Sequence, residues 1–333
     1  YASGKWLDKT TIPADRASKG SFADLREEVQ DQVQSLIKDA PAGTKYGALY
    51  ASFMDEATVE QRGLKPLMAD IGRVRAIKGK AAFARAMGAT TGGFGIGVVG
   101  IGIIPDTANP TMNVLYVGQA GLGMPDRDYY FDKQFAKQRA AYKAYLARTL
   151  KSLGHGDPKA AAAVYAFEEA MAKVSWKSDE SRDIDKINNP YSTAQLKAYA
   201  PGLDWDAFFA GAGVGVQDRM IVAENSAVKK IAAIYARTPL ATLKLWQEFH
   251  TADQAAPYLN KAMVESRFAY TRTLSGVTEI RPRWKRANDL VNNSLGEMLG
   301  QAYVARYFPA SSKAKMEQLV ANLKEAMAAR IDA

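Results

Sequence analysis

Several residue types from which catalytic centres are built are missing or scarce in this chain of 333 residues. Cysteine is absent, which excludes disulfides, thiolate metal sites and cysteine nucleophiles. Histidine occurs twice, as His155 and His250, far apart in the sequence. Two isolated imidazoles are too few for most histidine-based zinc sites or Ser-His-Asp arrangements. The residues alone therefore predict no catalytic centre in this chain.

Long apolar runs are missing as well. A membrane-spanning helix needs about 18–20 consecutive apolar residues, whereas the longest apolar segment, residues 92–104, is interrupted by glycine. The sequence therefore predicts no membrane span. Hydrophobic residues make up 47% of the chain and charged residues 24%, a balance typical of globular proteins with a sizeable core. The net charge of +9 favours acidic partners or surfaces without naming one.

Apolar residues recur at steps of three and four along most of the chain, which indicates amphipathic helices. One such helix begins near Ser21 and carries Leu25, Val29 and Val33 on one face. Residues 126–153 predict one long helix, and the Gly-His-Gly-Asp-Pro sequence that follows predicts its end and the start of the next. The length suggests about two domains. The expected fold class is mainly α, a multi-helix protein.

One region departs from the helical pattern. Apolar residues alternate with glycine over residues 94–98, and the alternation continues over residues 99–103 in the opposite phase. Alternation predicts a strand, and the change of phase within it indicates a β-bulge. A turn rich in proline and asparagine follows, and residues 112–117 are typical of a returning strand. The sequence thus predicts a small β-hairpin at about residues 94–118.

Two motifs resemble phosphate-binding sites, and each has a structural alternative. Residues 95–100 match the G-x-G-x-x-G pattern of dinucleotide sites, but that chemistry needs a helix directly after the glycines. A strand and a turn follow here, which favours a glycine-rich hairpin. Residues 281–286 place four cations around Trp284, as in a nucleic-acid site. The amphipathic helix after them favours a helix start with Trp284 in a core, and no nucleic-acid partner is expected.

Acidic residues suggest two further sites. The Asp-Arg-Asp sequence at residues 126–128 fits a carboxylate pair for acid–base catalysis, or more simply a turn held by ion pairing at a helix start. Glu248, His250 and Asp253 lie close together in the sequence and faintly suggest a metal cluster. Since the other histidine lies in a Gly-Pro turn, a hydrogen-bonded or exposed histidine is the favoured interpretation.

Three blocks of sequence resemble a known family. They are Gly-Lys-Trp-Leu at residues 4–7 with Ile-Pro at 12–13 and Gly-Ser-Phe at 20–22; QAGLGMPDRDYY at residues 119–130; and a stretch from Arg-Trp at 283–284 to Gly-Gln-Ala-Tyr-Val at 300–304. In this order and at these separations they closely resemble the N-terminal half of the neprilysin and endothelin-converting-enzyme family of zinc metallopeptidases. The middle block is specific to that family, and the resemblance spans nearly the whole chain.

This resemblance implies two lobes, a thermolysin-like catalytic lobe and a mostly helical lobe that caps it and encloses a chamber admitting only peptides. In the family, zinc is held by His-Glu-x-x-His and a downstream glutamate, and the motif's own glutamate is the general base. Neither histidine of this chain is followed by glutamate. The resemblance therefore implies that zinc is bound C-terminal to Ala333, and that this chain holds no catalytic or metal-binding residue.

The implied organisation has three segments. Residues 1–22 are expected to pack against the catalytic lobe, residues 23–270 to form the helical capping domain, and residues 271–333 to lead toward the catalytic domain. The expected partners are peptide substrates and the C-terminal catalytic domain of the same protein.

Two residues match substrate-binding positions of the family. Phe22 and Arg26 correspond to an apolar wall and to a cation that contacts a peptide carbonyl or carboxylate in the primed pockets. Ser18 and Ala23 stand where animal members have arginine and aspartate, so the same anchoring of a peptide C-terminus is not implied. The alternatives are that Phe22 staples the start of the nearby helix and that Arg26 lies on a solvated helix surface.

The absence of cysteine also bears on the compartment. Ser3, Phe53 and Ala287 occupy positions at which the animal ectodomains have disulfide cysteines. This difference, together with the absence of a membrane anchor, is typical of a bacterial, exported member of the family. A periplasmic or extracellular location is therefore expected.

The sequence is compatible with two functions. The first is the non-catalytic N-terminal portion of a neprilysin-like zinc metalloendopeptidase, which encloses the substrate chamber while the full-length enzyme hydrolyses oligopeptides. The alternative is a catalytically inactive helical module that binds peptides or proteins. In the first case zinc serves the full-length enzyme, and the 333-residue chain alone is expected to be inactive.

Overall fold

The computed structural model describes residues 3–41, 43–90 and 93–331, most of which lie in helices. In chain order the helices are α1 (Ser3–Lys9), α2 (Ser21–Lys38), α3 (Lys45–Met54), α4 (Glu56–Arg62), α5 (Met68–Ala76), α6 (Lys80–Gly88), α7 (Asp128–Phe131), α8 (Ala136–Ser152), α9 (Pro158–Val174), α10 (Ile184–Ile187), α11 (Thr193–Tyr199), α12 (Trp205–Gly211), α13 (Asn225–Arg237), α14 (Leu240–Ala255), α15 (Lys261–Ser275), α16 (Arg283–Tyr307) and α17 (Ala310–Ile331). The prediction of a mainly α fold with a small β part is confirmed.

The described strands form one small mixed sheet. They are β1 (Val99–Asp106), β2 (Asn109–Gln119), β3 (Pro190–Tyr191) and β4 (Met220–Val222), in the spatial order β1-β2-β4-β3. β1 and β2 form an antiparallel hairpin, β4 runs parallel to β2, and β3 pairs antiparallel with β4. The two outer strands of this sheet are therefore β1 and β3.

The hairpin differs from its prediction in two details. Its first strand begins at Val99, so the alternating residues before it are not a strand. Pairing is regular from Val99 to Pro105, and the register shifts between Pro105 and Asp106 instead. The bulge predicted at the change of phase is therefore wrong. That change of phase marks the start of the strand, where the chain changes direction.

The chain divides into two compact units, one formed by residues 1–59 and 276–333 and the other by residues 60–275. The second unit contains the large hydrophobic core. Its biggest fully buried side chains include two tryptophans and several tyrosines and phenylalanines, namely Trp205, Trp246, Tyr142, Tyr145, Tyr235, Phe83, Phe208 and Phe249. Burial of each large apolar side chain contributes about 1.5–3 kcal/mol, so this unit holds most of the hydrophobic stabilisation.

The predicted long helix at residues 126–153 is interrupted. α7 ends at Phe131, Asp132 has an extended backbone, and α8 begins at Ala136. Arg139 of α8 donates to the carbonyl oxygens of Tyr129 (3.0 Å) and Asp132 (2.6 Å). The guanidinium thus satisfies backbone acceptors that a continuous helix would have used, which offsets the cost of the break.

The boundary between α8 and α9 lies where the sequence predicts it. Gly154 adopts a left-handed backbone (φ 96°), and the N–H of His155 reaches back to the carbonyl of Leu150 (2.9 Å). This is a glycine-terminated helix end. Asp157 then caps α9 by accepting from the N–H of Lys159 (2.9 Å), with Pro158 at the first helical position.

The first unit has a much smaller core. Ile37 of α2 packs with Val291 and Leu299 of α16, and half-buried residues of α2 and α3 surround them. α16 is kinked at Leu295, whose backbone is not helical. This unit relies on few buried apolar side chains.

α17 exposes an apolar stripe from Met316 to its last residue, Ile331. The stripe consists of large side chains that are each between 45% and 76% exposed, Met316, Leu319, Val320, Leu323, Met327 and Ile331. Their spacing places them on one face of the helix. No residue of α17 is buried. Within the described ranges, no helix is both long and apolar enough to cross a membrane.

The hairpin turn is held by one ion pair, which makes its stability depend on pH. Asp106 accepts from Arg219 Nε (2.7 Å) and Nη2 (3.0 Å) and from the N–H of Ala108 (2.9 Å). The hydrogen bond from Arg219, followed by that from Ala108, lowers the pKa of Asp106 to about 2. Since the unfolded value is about 3.9, the carboxylate stabilises the fold above about pH 4, and this contribution is lost as the pH falls toward 2.

We predict that Arg219→Ala raises the pKa of Asp106 toward about 3.9 and weakens the acid dependence of stability at the hairpin. Carboxyl-carbon NMR titration measures the pKa, and thermal unfolding across the same pH range measures stability. Arg237→Ala, which removes an exposed cation of α13, is the control and leaves the pKa of Asp106 unchanged. An unaltered pKa in Arg219→Ala would contradict this account.

Candidate functional site

The two residues matched to substrate positions lie at the start of α2. Gly20 is the N-cap, so Phe22 and Arg26 lie in the first two turns, four residues apart on one face. The Phe22 side chain is 87% exposed, which contradicts the alternative that it staples the helix start. Arg26 is also exposed. Both side chains are free to contact a ligand, and their role in substrate binding stays a prediction.

The basic cluster at residues 281–286 is used within its own unit. Arg281 pairs with Asp289, and Lys285 pairs with Glu27. Arg283 donates twice to the carbonyl oxygen of Phe53, at 2.8 and 2.6 Å, and its guanidinium stacks 4.7 Å from the Phe53 ring.

Burial affects a fourth cation of this cluster. Desolvation, followed by the charge of Arg283, lowers the pKa of Arg286. Its Nε donates to the carbonyl oxygen of Arg281 (3.2 Å). These contacts support a structural role at the start of α16, so the nucleic-acid interpretation of the cluster is not supported. Trp284 is half-buried and lies outside the hydrophobic clusters of the described residues, so its expected place in a core is not confirmed.

The glycine-rich segment has no dinucleotide geometry. Residues 95–100 lead into β1, which begins at Val99, and not into a helix, so no helix N-terminus is present there to bind a pyrophosphate. The N–H of Gly95 donates to Gln254 Oε1 (2.8 Å), and the Gln247 carboxamide bonds both backbone groups of Ile96. The dinucleotide interpretation is therefore wrong, and two glutamines of α14 hold this segment in place.

The family-specific block folds around the hydroxyl of its last tyrosine. Tyr130 Oη accepts from the N–H groups of Gly123 (3.1 Å) and Met124 (3.3 Å) and donates to Glu168 Oε2 (2.9 Å). Tyr142 Oη donates to the same carboxylate oxygen at 2.7 Å. The loop is thereby fixed to α9 by hydrogen bonds deep in the core.

Glu168 is the centre of this network. It is completely buried, and its second oxygen, Oε1, lies 2.7 Å from His250 Nε2. One carboxylate thus takes three side-chain donors from α7, α8 and α14. Burial, followed by the nearby charge of Glu168, raises the pKa of both Tyr130 and Tyr142 well above the ordinary tyrosine value. Both tyrosines therefore remain protonated donors at neutral pH.

Asp126 and Asp128 do not form a catalytic pair. Asp126 Oδ1 accepts from the N–H of Asp128 (2.8 Å), which is a local turn. Arg127 lies 3.5 Å from Asp128 and donates to the carbonyl of Ala172 (3.3 Å). The interpretation of this sequence as an ion-paired turn at a helix start is supported.

A second buried glutamate binds the other histidine. Glu248 Oε2 accepts from Arg75 Nη2 (2.7 Å) and Nε (3.0 Å) and lies 2.8 Å from His155 Nε2. Arg75 Nη2 also donates to the carbonyl of Leu153 (2.6 Å). α14 therefore ties together α5, the α8–α9 loop and, through His250, α9.

The partners of Glu248, His250 and Asp253 test whether these three residues form a metal site. Asp253 binds Tyr145 (2.8 Å) and Arg267 (3.0 Å), so Glu248, His250 and Asp253 have three separate sets of partners. The faint metal-cluster interpretation is not supported. Across residues 3–41, 43–90 and 93–331, no three histidine, aspartate or glutamate side chains converge as metal ligands. The donors present do not fit a zinc ion.

Sequence reasoning missed Glu168, Tyr142 and Arg75. A signal for Glu168 was present, because it lies on the apolar face of α9 between Val164 and Met171. A charged residue at a position where the helical pattern requires an apolar one indicates a buried, paired group. Its partners were not visible, since they come from distant parts of the sequence.

We predict that Glu168→Gln destabilises the chain by about 1–3 kcal/mol, the cost of leaving a buried hydrogen-bond donor without its acceptor. Urea unfolding at neutral pH measures the loss. Glu169→Gln, at the adjacent half-buried position, is the matched control and is expected to cost about 1 kcal/mol or less. Equal unfolding midpoints for the two variants would show that the network contributes little.

The sequence of this chain matches a known protein family along its whole length. The family model for the N-terminal part of peptidase family M13 matches residues 1–333. Endothelin-converting enzyme 1 of Homo sapiens is 25% identical over 98% of this chain and 45% of its own length. Endothelin-converting enzyme-like 1 of Homo sapiens is 23% identical over 100% of this chain and 46% of its own length. The chain thus spans about half the length of the curated relatives it matches.

The fold of this chain also resembles solved structures of bacterial proteins. The zinc metalloprotease Zmp1 of Mycobacterium tuberculosis, solved with an inhibitor, superposes with a TM-score of 0.89 at 32% identity, over 97% of this chain and 51% of that one. PepO of Lactobacillus rhamnosis superposes with a TM-score of 0.80 over 96% of this chain and 52% of that one. At 19% identity the PepO match shows a shared fold alone. The resemblance predicted from the three sequence blocks is confirmed, and the chain belongs to peptidase family M13, as its N-terminal part.

Proposed function

We propose that the full-length protein is a zinc-dependent metalloendopeptidase that hydrolyses oligopeptides, and that this chain is the non-catalytic portion that encloses the substrate chamber. Membership of the family supports this proposal, as does the share of the relatives' length that the chain spans. Zinc and the general base then come from the remaining half, because the two histidines here are bound to Glu168 and Glu248. This chain would limit substrate size and exclude water on closure.

The observation that carries the proposal is the uncovered apolar surface of the first unit. The stripe of α17 is exposed throughout, and single proteins rarely leave such continuous apolar surface in water. Trp6, Leu7, Ile12 and Leu25 of the same unit are each about half exposed or more, between 47% and 62%. We propose that the remainder of the full-length protein covers these side chains and completes the small core of this unit.

Phe22 and Arg26 are the proposed substrate contacts of this portion. An exposed phenyl ring binds an apolar peptide side chain, and an exposed guanidinium pairs with a peptide carbonyl or carboxylate. We also propose that the protein is exported, to the periplasm or the extracellular space, since a chain without cysteine folds without regard to redox state.

We predict that the full-length protein cleaves an internally quenched oligopeptide, that a chelator abolishes this cleavage and that zinc restores it. The 333-residue chain shows no turnover in the same assay. A full-length protein that binds peptides but never cleaves them would instead favour the inactive binding module. Turnover by the 333-residue chain would contradict the placement of the zinc ligands outside it.

We predict that Leu323→Ala in α17 changes the stability of the 333-residue chain by no more than about 0.5 kcal/mol, because the side chain is exposed there. In the full-length protein the same substitution is expected to cost about 2–5 kcal/mol, the cost of truncating a buried leucine. Chemical unfolding of both proteins measures the difference.

Glu325→Ala, on the opposite face of α17, is the control and is neutral in both proteins. Equal effects of Leu323→Ala in the short and the full-length protein would show that the stripe stays uncovered.

A further inference from the structure

The outer edge of β1 is open. β1 is the first strand in the sheet order and pairs with β2 alone. Within the described ranges, the backbone of residues 99–105 makes no hydrogen bond to anything except β2. An edge strand presents alternate N–H and C=O groups away from its neighbour, so β1 offers a row of unpaired donors and acceptors.

The position of Pro105 shows which backbone groups of β1 point away from β2. Pro105 pairs with Asn113 of β2 and has no N–H, and within a ladder proline is accepted where the N–H would point away from the neighbouring strand. Because the direction alternates residue by residue, the N–H and C=O groups of Ile103 and Ile101 face outward as well. These are the groups that a further strand would use.

Part of the usual protection of an open edge is present at one end of β1, where Pro105 lacks an N–H and the register shifts next to it. Native edges are also blocked by lysine or by a covering helix or loop. Together β1 and β2 contain one charged residue, Asp106, which is neutralised by Arg219. Ile103 is 71% exposed, and a side chain added at Gly102 would meet no atom within 4 Å. Both faces of the strand are therefore accessible at residues 102–103, and the strand there carries no charge.

An apolar cavity of about 140 Å³ adjoins this edge. It lies on the face of the sheet that Ile104 occupies and is lined by Ile104, Val114, Tyr116, Ile184, Ile187 and Ile221. A cavity of about 150 Å³ takes a group the size of benzene, so this one accepts a single leucine or phenylalanine side chain. Side-chain pockets beside a free edge give specificity to strand addition, while main-chain hydrogen bonds give affinity.

We propose that β1 binds an extended, uncharged peptide segment by strand addition, with one large apolar side chain of the peptide in the cavity beside Ile104. Val99 is buried, so the accessible part of the edge is residues 101–105, roughly 17 Å at about 3.4 Å per residue. This length suits a segment of about five residues and is too small for a stable dimer, which buries more than about 1,000 Å². The binding surface is independent of zinc and of the proposed peptidase activity.

The test uses the full-length protein, with chelator present so that zinc-dependent cleavage cannot consume the probe. The probe is a fluorescein-labelled peptide of seven residues that alternates threonine with valine around a central leucine. Fluorescence anisotropy is expected to show saturable binding. A probe with alanine at the centre is expected to bind about tenfold more weakly, because the cavity is then left unfilled.

A matched pair of variants separates backbone from side chain. Ile103→Pro removes the outward N–H and is expected to weaken binding by about tenfold, the effect of one hydrogen bond. Ile103→Ala removes the same exposed side chain but keeps the N–H, and its affinity is expected to stay within about threefold. Circular dichroism and thermal unfolding check that both variants fold. If Ile103→Pro does not fold, a probe that is N-methylated on the edge facing β1 gives the same comparison with wild-type protein.

Four results would overturn the proposal. The first is that the probe shows no saturable binding, and the second is that it binds wild type and Ile103→Pro with equal affinity. The third is a concentration-dependent dimer that Ile103→Pro abolishes, because a second copy of the chain would then be the partner. The fourth is slow amide exchange of residues 101 and 103 in the full-length protein without probe, since the protein's own chain would then cover the edge.

Discussion

The second unit depends on the cost of burying a carboxylate. Glu168 is completely excluded from water, and a carboxyl group in such a place is tolerated only when its oxygens are hydrogen-bonded. Three donors do this, and they come from three different helices, so the requirement of one side chain fixes the relative positions of α7, α8, α9 and α14. The family-specific loop is positioned in the same network through the hydroxyl of Tyr130.

α14 extends this arrangement across the unit. Its residues Glu248 and His250 are two positions apart, so they point to different sides of the helix and bind different parts of the chain. Gln247 and Gln254 of the same helix hold the segment that leads into β1. α14 therefore contacts both the segment before the open edge of the sheet and the buried network of Glu168. In the described part of the first unit the core is small and the stripe of α17 is exposed, which is the basis of the proposal that another part of the protein completes this unit.

Much of the fold could be predicted from local pattern. The boundary at residues 154–158 and the hairpin were predictable because glycine, proline and alternation act through nearby backbone atoms. The long helix at residues 126–153 was predicted wrongly, because its break depends on Arg139 and on the burial of Tyr130 in a distant network. The Asp-Arg-Asp sequence was correctly interpreted as structural because its turn is local. The basic cluster was also correctly interpreted as structural, although its partners Phe53 and Glu27 are distant in sequence and could not be predicted.

By itself the sequence determined the helical class, the family and the scarcity of groups that could bind a metal, because composition, periodicity and motif order are properties of the chain alone. The tertiary structure decided which glutamate each histidine binds, which strand is left at the edge of the sheet and which helix face stays in water. These depend on contacts between residues far apart in sequence, and the energy of such a contact exists once both partners have been brought together and dehydrated.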